Sequence, residues 1–190
     1  MGGMEHLSRA ETCDPAPNNC NALHLAEFSA KLFASQATPL KQVEQVPRYL
    51  TVIDSTWSVE QAFAFMSDFS NAARWDPGVL SAHRLDAGEV RVGSSFDLTV
   101  AFAGRKMTLR YAVRSFSAPH QVVFAASTSR LESVDTLTFE ELGDACRMTY
   151  DADLRFKGIA AVANPLLAPR FRRIGDRARD SLRSVLTSAL

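Results

Sequence analysis

From residue 79 onward the sequence reads as one strand after another, joined by connections too short for anything but hairpins. The alternating stretches run over about 79–86, 93–103, 106–116, 120–128, 130–141 and 145–156. Between them, "AGRK" carries a turn glycine, "SAPH" a turn proline and "LGDA" a Gly-Asp pair. Strands joined this way form an antiparallel meander, because a parallel pair needs a crossover of about a dozen residues or more. After the last strand a single amphipathic helix remains to cover the sheet. Leu166, Leu167, Phe171, Ile174, Ala178, Leu182, Val185, Leu186 and Ala189 mark its apolar face at three- and four-residue steps.

The stretch "CRMTYDADLRFKG", residues 146–158, shows the packing problem this creates. Met148, Tyr150, Ala152, Leu154 and Phe156 fall on one side, and Thr149, Asp151, Asp153 and Arg155 on the other. Earlier strands repeat the pattern with Phe96, Leu98, Val100 and Phe102; Leu109, Tyr111 and Val113; Val122, Phe124 and Ala126; and Leu137 with Phe139. Six or seven strands about 4.8 Å apart make a sheet roughly 30 Å wide, whereas one helix is only about 10–12 Å across. A flat sheet would stay uncovered, so the sheet is expected to curl around the helix. A curled sheet gripping one helix is expected to leave a cavity between them.

Ahead of the meander, "RYLTVID" reads as a first strand, "STWSVEQAFAFMSD" as a helix opened by a Ser/Thr cap, and "FSNAARWDPGV" as a short helix stopped by Pro77 and Gly78. In the last helix, Asn164 followed by Pro165 reads as a cap and first helical position. Pro169 implies either a kink or a helix that begins there after a short turn. Residues 1–46 show no strand pattern and are expected to be a poorly ordered extension, leaving 47–190 as the folded domain.

This order of elements resembles the START-related, birch-pollen-allergen-like (SRPBCC) superfamily, in particular its polyketide cyclase/dehydrase branch. The resemblance is carried by "STWSVEQAFAFMSDFSNAARWDPGV", "VGSSFDLTV", "YAVRSFSAPHQVVF" and "CRMTYDADLRFKG", and covers about Arg48 to Leu190. It implies an α+β helix-grip fold: a curled antiparallel sheet of six to seven strands around one long C-terminal helix, with two short helices. It also implies a pocket for a lipid-like, polyketide-like or isoprenoid molecule. Some relatives cyclise or dehydrate polyketides, while many only bind or carry a ligand.

The residues expected to line that pocket are Trp75, Phe96, Leu98, Val100, Leu109, Tyr111, Val113, Phe124, Asp135, Leu137, Phe139, Met148, Tyr150, Leu154, Leu167, Phe171 and Ile174. Asp135 is the sharpest of them. In "RLESVDTLTFEEL" it shares a face with Leu131, Ser133, Leu137 and Phe139. A carboxylate facing an apolar pocket has a raised pKa and serves as an acid, a base or a ligand anchor. A bulge that reverses the register would instead turn it to solvent. Tyr111 and Tyr150 either hold a ligand carbonyl or bridge to the chain and water. If turnover occurs, these three are the candidates for proton transfer. Trp75 is either a lid or a packing anchor.

Other chemistries find no support in the sequence. His6, His24, His83 and His120 lack partners at metal-ligand spacing, so neither metal nor cofactor is expected. There is no phosphate-cradling glycine motif and no GxSxG nucleophile elbow. His83 reads as a surface or hydrogen-bonded histidine. Asp151 and Asp153 read as cross-strand charge partners. Formal net charge is zero, which argues against a general nucleic-acid binder. Arg170, Arg172, Arg173, Arg177, Arg179 and Arg183 surround the last helix. They read as its solvated face, paired in part through Asp176 with Arg179 and Arg172, with docking to anionic membranes as the alternative. Apolar residues make up 46% and charged ones 22%, and no apolar run approaches the roughly 18 residues of a membrane span. With no secretory leader pattern and three cysteines, Cys13, Cys20 and Cys146, the chain reads as cytoplasmic without disulfides. A monomer or weak homodimer is expected, since no wet strand face shows an apolar patch.

Overall fold

The computed structural model describes residues 47–102 and 104–189. The extension expected over residues 1–46 lies outside the described residues. Strand β1, Arg48–Ser55, leads into helix α1, Val59–Ser67. A 3-10 turn, Phe69–Asn71, and the short helix α2, Ala72–Trp75, follow. The meander consists of β2, Val79–Arg84; β3, Ser95–Phe102; β4, Arg105–Ser117; β5, Gln121–Ser127; β6, Leu131–Leu142; and β7, Ala145–Phe156. A second 3-10 segment, Gly158–Ala163, hands over to the long helix α3, Asn164–Leu186.

The strands form one seven-stranded antiparallel sheet in the order β1-β7-β6-β5-β4-β3-β2, so the first strand pairs with the last. With α3 laid across the concave face, this is the α+β helix-grip fold. The turn glycines Gly104 and Gly143 sit at positive φ, where a side chain would be strained, and they let β3–β4 and β6–β7 reverse tightly.

Helix α1 starts at Ser58 through a reciprocal cap. The Gln61 amide donates to Ser58 Oγ at 3.3 Å and the Ser58 amide donates to Gln61 Oε1 at 3.0 Å. Its buried face, Val59, Ala62, Phe63 and Met66, plugs one end of the curled sheet. There Phe63 meets Phe139 edge-on at 5.5 Å, and Phe69 stacks on Phe124 at 4.3 Å. Phe96 meets Phe124 edge-on at 6.0 Å in the same cluster. This end of the core is solid.

The C-terminal end of α3 is seated by donors from the β1–α1 junction. Ser55 Oγ donates to the Leu186 carbonyl at 2.8 Å, the Thr56 amide donates to the same carbonyl at 3.1 Å, and Trp57 Nε1 donates to the Ser188 carbonyl at 2.8 Å. These satisfy carbonyls that a helix end otherwise leaves open. Leu182 and Leu186 are fully buried behind them. The apolar face expected for this helix is only partly used: Leu166 is 82% exposed and Ala189 is exposed. Pro169 does not set the start of the helix, which runs continuously from Asn164 with the proline inside it.

On the wet face of the sheet, cross-strand ion pairs tie Arg48 to Asp151, Arg110 to Asp97 and Arg147 to Asp54. Arg48 also reaches Asp153 at 4.0 Å. Exposed pairs of this kind add little to stability and mainly fix register. On α3, Asp176 pairs with Arg179 at 3.4 Å. Among the described residues no helix is long and apolar enough to cross a membrane.

Candidate functional site

The other end of the curled sheet is not filled. Between the concave face of β3, β4, β6 and β7, the start of β1, the turn after α2 and the near side of α3 lies a cavity of about 150 Å³. Most of its wall is apolar, built from residues such as Trp75, Leu98, Leu109, Leu154, Phe171 and Ile174. Tyr49 and Gly175 meet where β1 passes under α3. A Cβ on Gly175 would fall 2.5 Å from Tyr49 Cγ, so this close approach requires glycine. The Tyr49 hydroxyl then donates to Asp176 Oδ1 at 3.0 Å.

The polar side of the wall comes from neighbouring strands. β6 pairs with β5 and β7 in unbroken register, so the bulge that would turn Asp135 outward does not occur. Leu131, Ser133, Asp135, Leu137 and Phe139 all face inward, and Asp135 is 5% exposed. Tyr111, Ala126 and Ser133 lie in one row across β4, β5 and β6. The small side chain of Ala126 lets the Tyr111 hydroxyl reach over it and donate to Ser133 Oγ at 3.1 Å. Ser133 Oγ in turn donates to Asp135 Oδ2 at 3.4 Å. Tyr150 stands diagonally across the β6–β7 pair and donates to Asp135 Oδ1 at 2.9 Å. A second carboxylate, Asp76, lines the cavity from the turn after α2, where its Oδ1 accepts the Gly78 amide at 2.7 Å.

Burial sets the electrostatics of this cluster. Removal from water pushes the Asp135 carboxyl up to about 7. The hydrogen bonds from Tyr150, Ser133 and Tyr111 act the other way, and the charge of Asp76 adds to the rise. Burial also raises Asp76, against the bond from Gly78. The phenols of Tyr111 and Tyr150 are driven well above their ordinary range, first by burial and then by the negative charge of Asp135. The outcome is a carboxyl that exchanges its proton near neutral pH, beside two phenols that stay protonated. Among the described residues no cluster of His, Cys, Asp and Glu could hold a metal ion.

Comparison with known proteins agrees with this architecture. The sequence profile described as polyketide cyclase/dehydrase and lipid transport matches residues 48–187. The chain belongs to this family. Its fold is shared with a START superfamily protein from Mycobacterium smegmatis, at 16% identity and TM-score 0.61, covering 73% of this chain and 96% of that one. The ZhuI aromatase/cyclase from Streptomyces sp. R1128 aligns at 11% identity and TM-score 0.58, over 74% and 91% of the two chains. The di-domain aromatase/cyclase StfQ from the steffimycin biosynthetic pathway aligns at 11% identity and TM-score 0.59, over 89% of this chain but 61% of its own. A search of curated proteins by sequence gives no match.

In this member of the polyketide cyclase/dehydrase family, the cavity wall takes in Trp75, Leu98, Val100, Leu109, Tyr111, Asp135, Tyr150, Leu154, Phe171 and Ile174 from the residues expected to line it. Phe96, Val113, Phe124, Leu137, Phe139 and Met148 face inward but are packed within the core, outside the cavity wall. Alternation gives the face of a residue but not what packs against it, and Phe63 and Phe69 cover Phe139 and Phe124 here. Leu167 lies outside the wall, since the first turns of α3 pack less closely than its C-terminal half. Trp75 is 4% exposed, lines the cavity and meets Tyr150 edge-on at 5.9 Å, so it packs and bounds the site at once. His83 is exposed on β2, outside the wall.

The wall also contains Tyr49, Thr51, Asp76, Ser133, Gly175 and Arg179, which are outside the set expected to line it; from sequence Arg179 reads as part of the solvated face of the helix. Tyr49 and Thr51 share an inward face with Ile53 that period-two alternation in "RYLTVID" already contains. Gly175, a glycine deep in a helical pattern, is the signal that another side chain presses against α3 there.

Proposed function

We propose that this chain binds a mainly apolar small molecule in the cavity between sheet and α3, with one polar end of the ligand against Asp135, Tyr150 and Tyr111. The observation that supports it is the convergence of these groups on one side of an otherwise apolar, unfilled volume. Binding would come chiefly from apolar surface removed from water, about 25 cal/mol per Å², with the polar cluster setting orientation. The neighbours named as aromatase/cyclases fit a polyketide-like ligand, and the family description fits a lipid-like one.

Two measurements test this. Small molecules extracted from the purified, unheated protein are identified by mass spectrometry, and binding of 2-naphthol is followed by its fluorescence. Ala152, which lines the cavity on β7, is changed to leucine to occupy part of the space. The expected result is 2-naphthol binding that is lost in a variant at least as stable as the parent. Undiminished binding in the variant would remove the cavity from the reading.

A second reading, acid–base catalysis on a ketone-bearing chain, is favoured by one specific feature. Asp135 lines the cavity and exchanges its proton near neutral pH, as a general base needs. The carboxylate would take a proton from the carbon next to a carbonyl. The enolate would then attack a second carbonyl of the chain or expel a β-hydroxyl, and Asp135 would return the proton to the resulting alkoxide or to the leaving oxygen as water. Deuterium exchange at the α carbons of 4-phenyl-2-butanone, followed by proton NMR, tests it. Exchange no faster than in buffer, or equally fast with Asp135→Asn, would leave only binding.

A further inference from the structure

The polar cluster around Asp135 offers the cavity more hydrogen-bond acceptors than donors, while further side-chain donors of the wall include the Trp75 indole and the Thr51 hydroxyl. The hydroxyl hydrogens of the cluster are committed within the chain: Tyr111 to Ser133 at 3.1 Å, Ser133 to Asp135 at 3.4 Å and Tyr150 to Asp135 at 2.9 Å. What these groups still offer a ligand is lone pairs, on both phenol oxygens and on the carboxylates of Asp135 and Asp76. The charge balance points the same way. The wall contains two carboxylates and one cation, Arg179. That guanidinium is already engaged on the outer side, by Asp180 at 2.9 Å and Asp176 at 3.4 Å. A ligand carboxylate pushed against this cluster would meet two like charges in a poorly solvated space, with no free cation beside it. A hydroxyl or ammonium hydrogen would meet open acceptors.

We infer that the cavity selects an apolar ligand whose inner end donates hydrogen bonds and carries no negative charge, a phenolic hydroxyl or an ammonium group, and that it refuses carboxylate-headed lipids. This rests on the small-molecule reading above and adds to it the chemical class of the ligand.

The groups facing Asp135 are Tyr150 from β7, Tyr111 from β4, Ser133 from its own strand and Asp76 from the turn after α2. Work at about pH 8 keeps Asp135 mostly ionised, 2-naphthol neutral and an alkyl-ammonium charged. The full chain is titrated with three probes that share one frame: 2-naphthol, 2-naphthylmethylammonium and 2-naphthoate. The naphthoate Kd is expected to exceed that of the tighter of the other two by at least about tenfold, in line with sites that leave a buried polar group unpaired. The comparison of the two donors then tells phenol from ammonium. Asp76→Asn and Asp135→Asn, tested singly, are each expected to narrow the ratio. If Asp135→Asn does not fold, Asp76→Asn decides alone.

Naphthoate binding within tenfold of the others overturns the inference and leaves the small-molecule reading standing. A ratio unchanged in every folded variant overturns the assignment to these carboxylates. Failure of all three probes to bind at about millimolar concentration removes the small-molecule reading and this inference together.

Discussion

Replacing Gly175 by alanine sets two effects of opposite sign against each other. Within a helix, alanine is favoured over glycine by about 1 kcal/mol. Here the new Cβ would stand 2.5 Å from Tyr49 Cγ and Cδ2 and 2.7 Å from Cε2. Carbon atoms settle at about 3.5–4.0 Å, so α3 or the tyrosine has to move by roughly 1 Å. The ring cannot simply swing aside, because Cγ is its innermost atom and the hydroxyl is held by Asp176 at 3.0 Å. Overpacking of this kind costs about 1–3 kcal/mol. The net loss for Gly175→Ala is therefore about 0–2 kcal/mol, with Tm lowered by about 2–4 °C per kcal/mol. In a Tyr49→Ala background the obstacle is gone, and the same substitution should stabilise by up to about 1 kcal/mol. Urea unfolding of the four proteins, read by far-ultraviolet circular dichroism, gives the coupling directly. A substitution that shifts stability equally in both backgrounds would refute the contact between β1 and α3.

The pH dependence follows from Asp135. An unfolded aspartate titrates near 3.9 and Asp135 in the fold near 7, so between those values the folded chain holds a proton that the unfolded chain has released. Its contribution is full below about pH 4 and is lost as pH rises through about 7, a loss on the order of 4 kcal/mol. Asp76, also raised by burial, acts in the same direction. The urea midpoint should fall between pH 5 and pH 8 in the parent and stay nearly level in Asp135→Asn; parallel curves would contradict it. Ser58→Ala should lose about 0.5–2 kcal/mol with the cap, and Gln61→Ala should add little on that background, because the two bonds are reciprocal. Leu182→Ala should cost about 2–5 kcal/mol, whereas Leu166→Ala should change stability by about 0.5 kcal/mol or less. Equal thermal shifts for these two would mean that α3 is seated along its whole length.

The sequence carried the sheet almost strand for strand, because hairpin turns and period-two alternation are local signals that tertiary packing here reinforces. The need for a cavity was also legible, since it follows from the width of a sheet set against one helix. Depth was not. Phe124 and Leu137 alternate as regularly as Leu109 and Tyr150, yet the first pair is covered within the core and the second borders the cavity. That division depends on where Phe63 and Phe69 lodge, which is a long-range fact. The inward alanines held the better clue. Ala126 lets Tyr111 reach Ser133, and Ala152, opposite Asp135 on β7, keeps the wall thin beside the carboxylate. A small residue at an inward position among large ones marks where side chains from adjacent strands cross or where space is left.

Stability alone would not select the cluster around Asp135. A leucine or valine there would remove the cost of burying a carboxyl and would fill part of the cavity as well. Inward positions outside the cavity wall are occupied that way, by Val122, Phe124, Leu137, Phe139 and Met148. Of the buried polar side chains outside the wall, Ser55 is tied to the Leu186 carbonyl and Ser67 to the Ala64 carbonyl, both plain structural tasks. Tyr111, Ser133, Asp135 and Tyr150, by contrast, satisfy one another and all four line the unfilled space. A network that served only to cross-link strands would work equally well with the cavity closed over it. That all four border the unfilled space supports the proposal that they meet a ligand. A Tyr150→Phe variant should therefore weaken ligand binding by a larger factor than its stability loss accounts for.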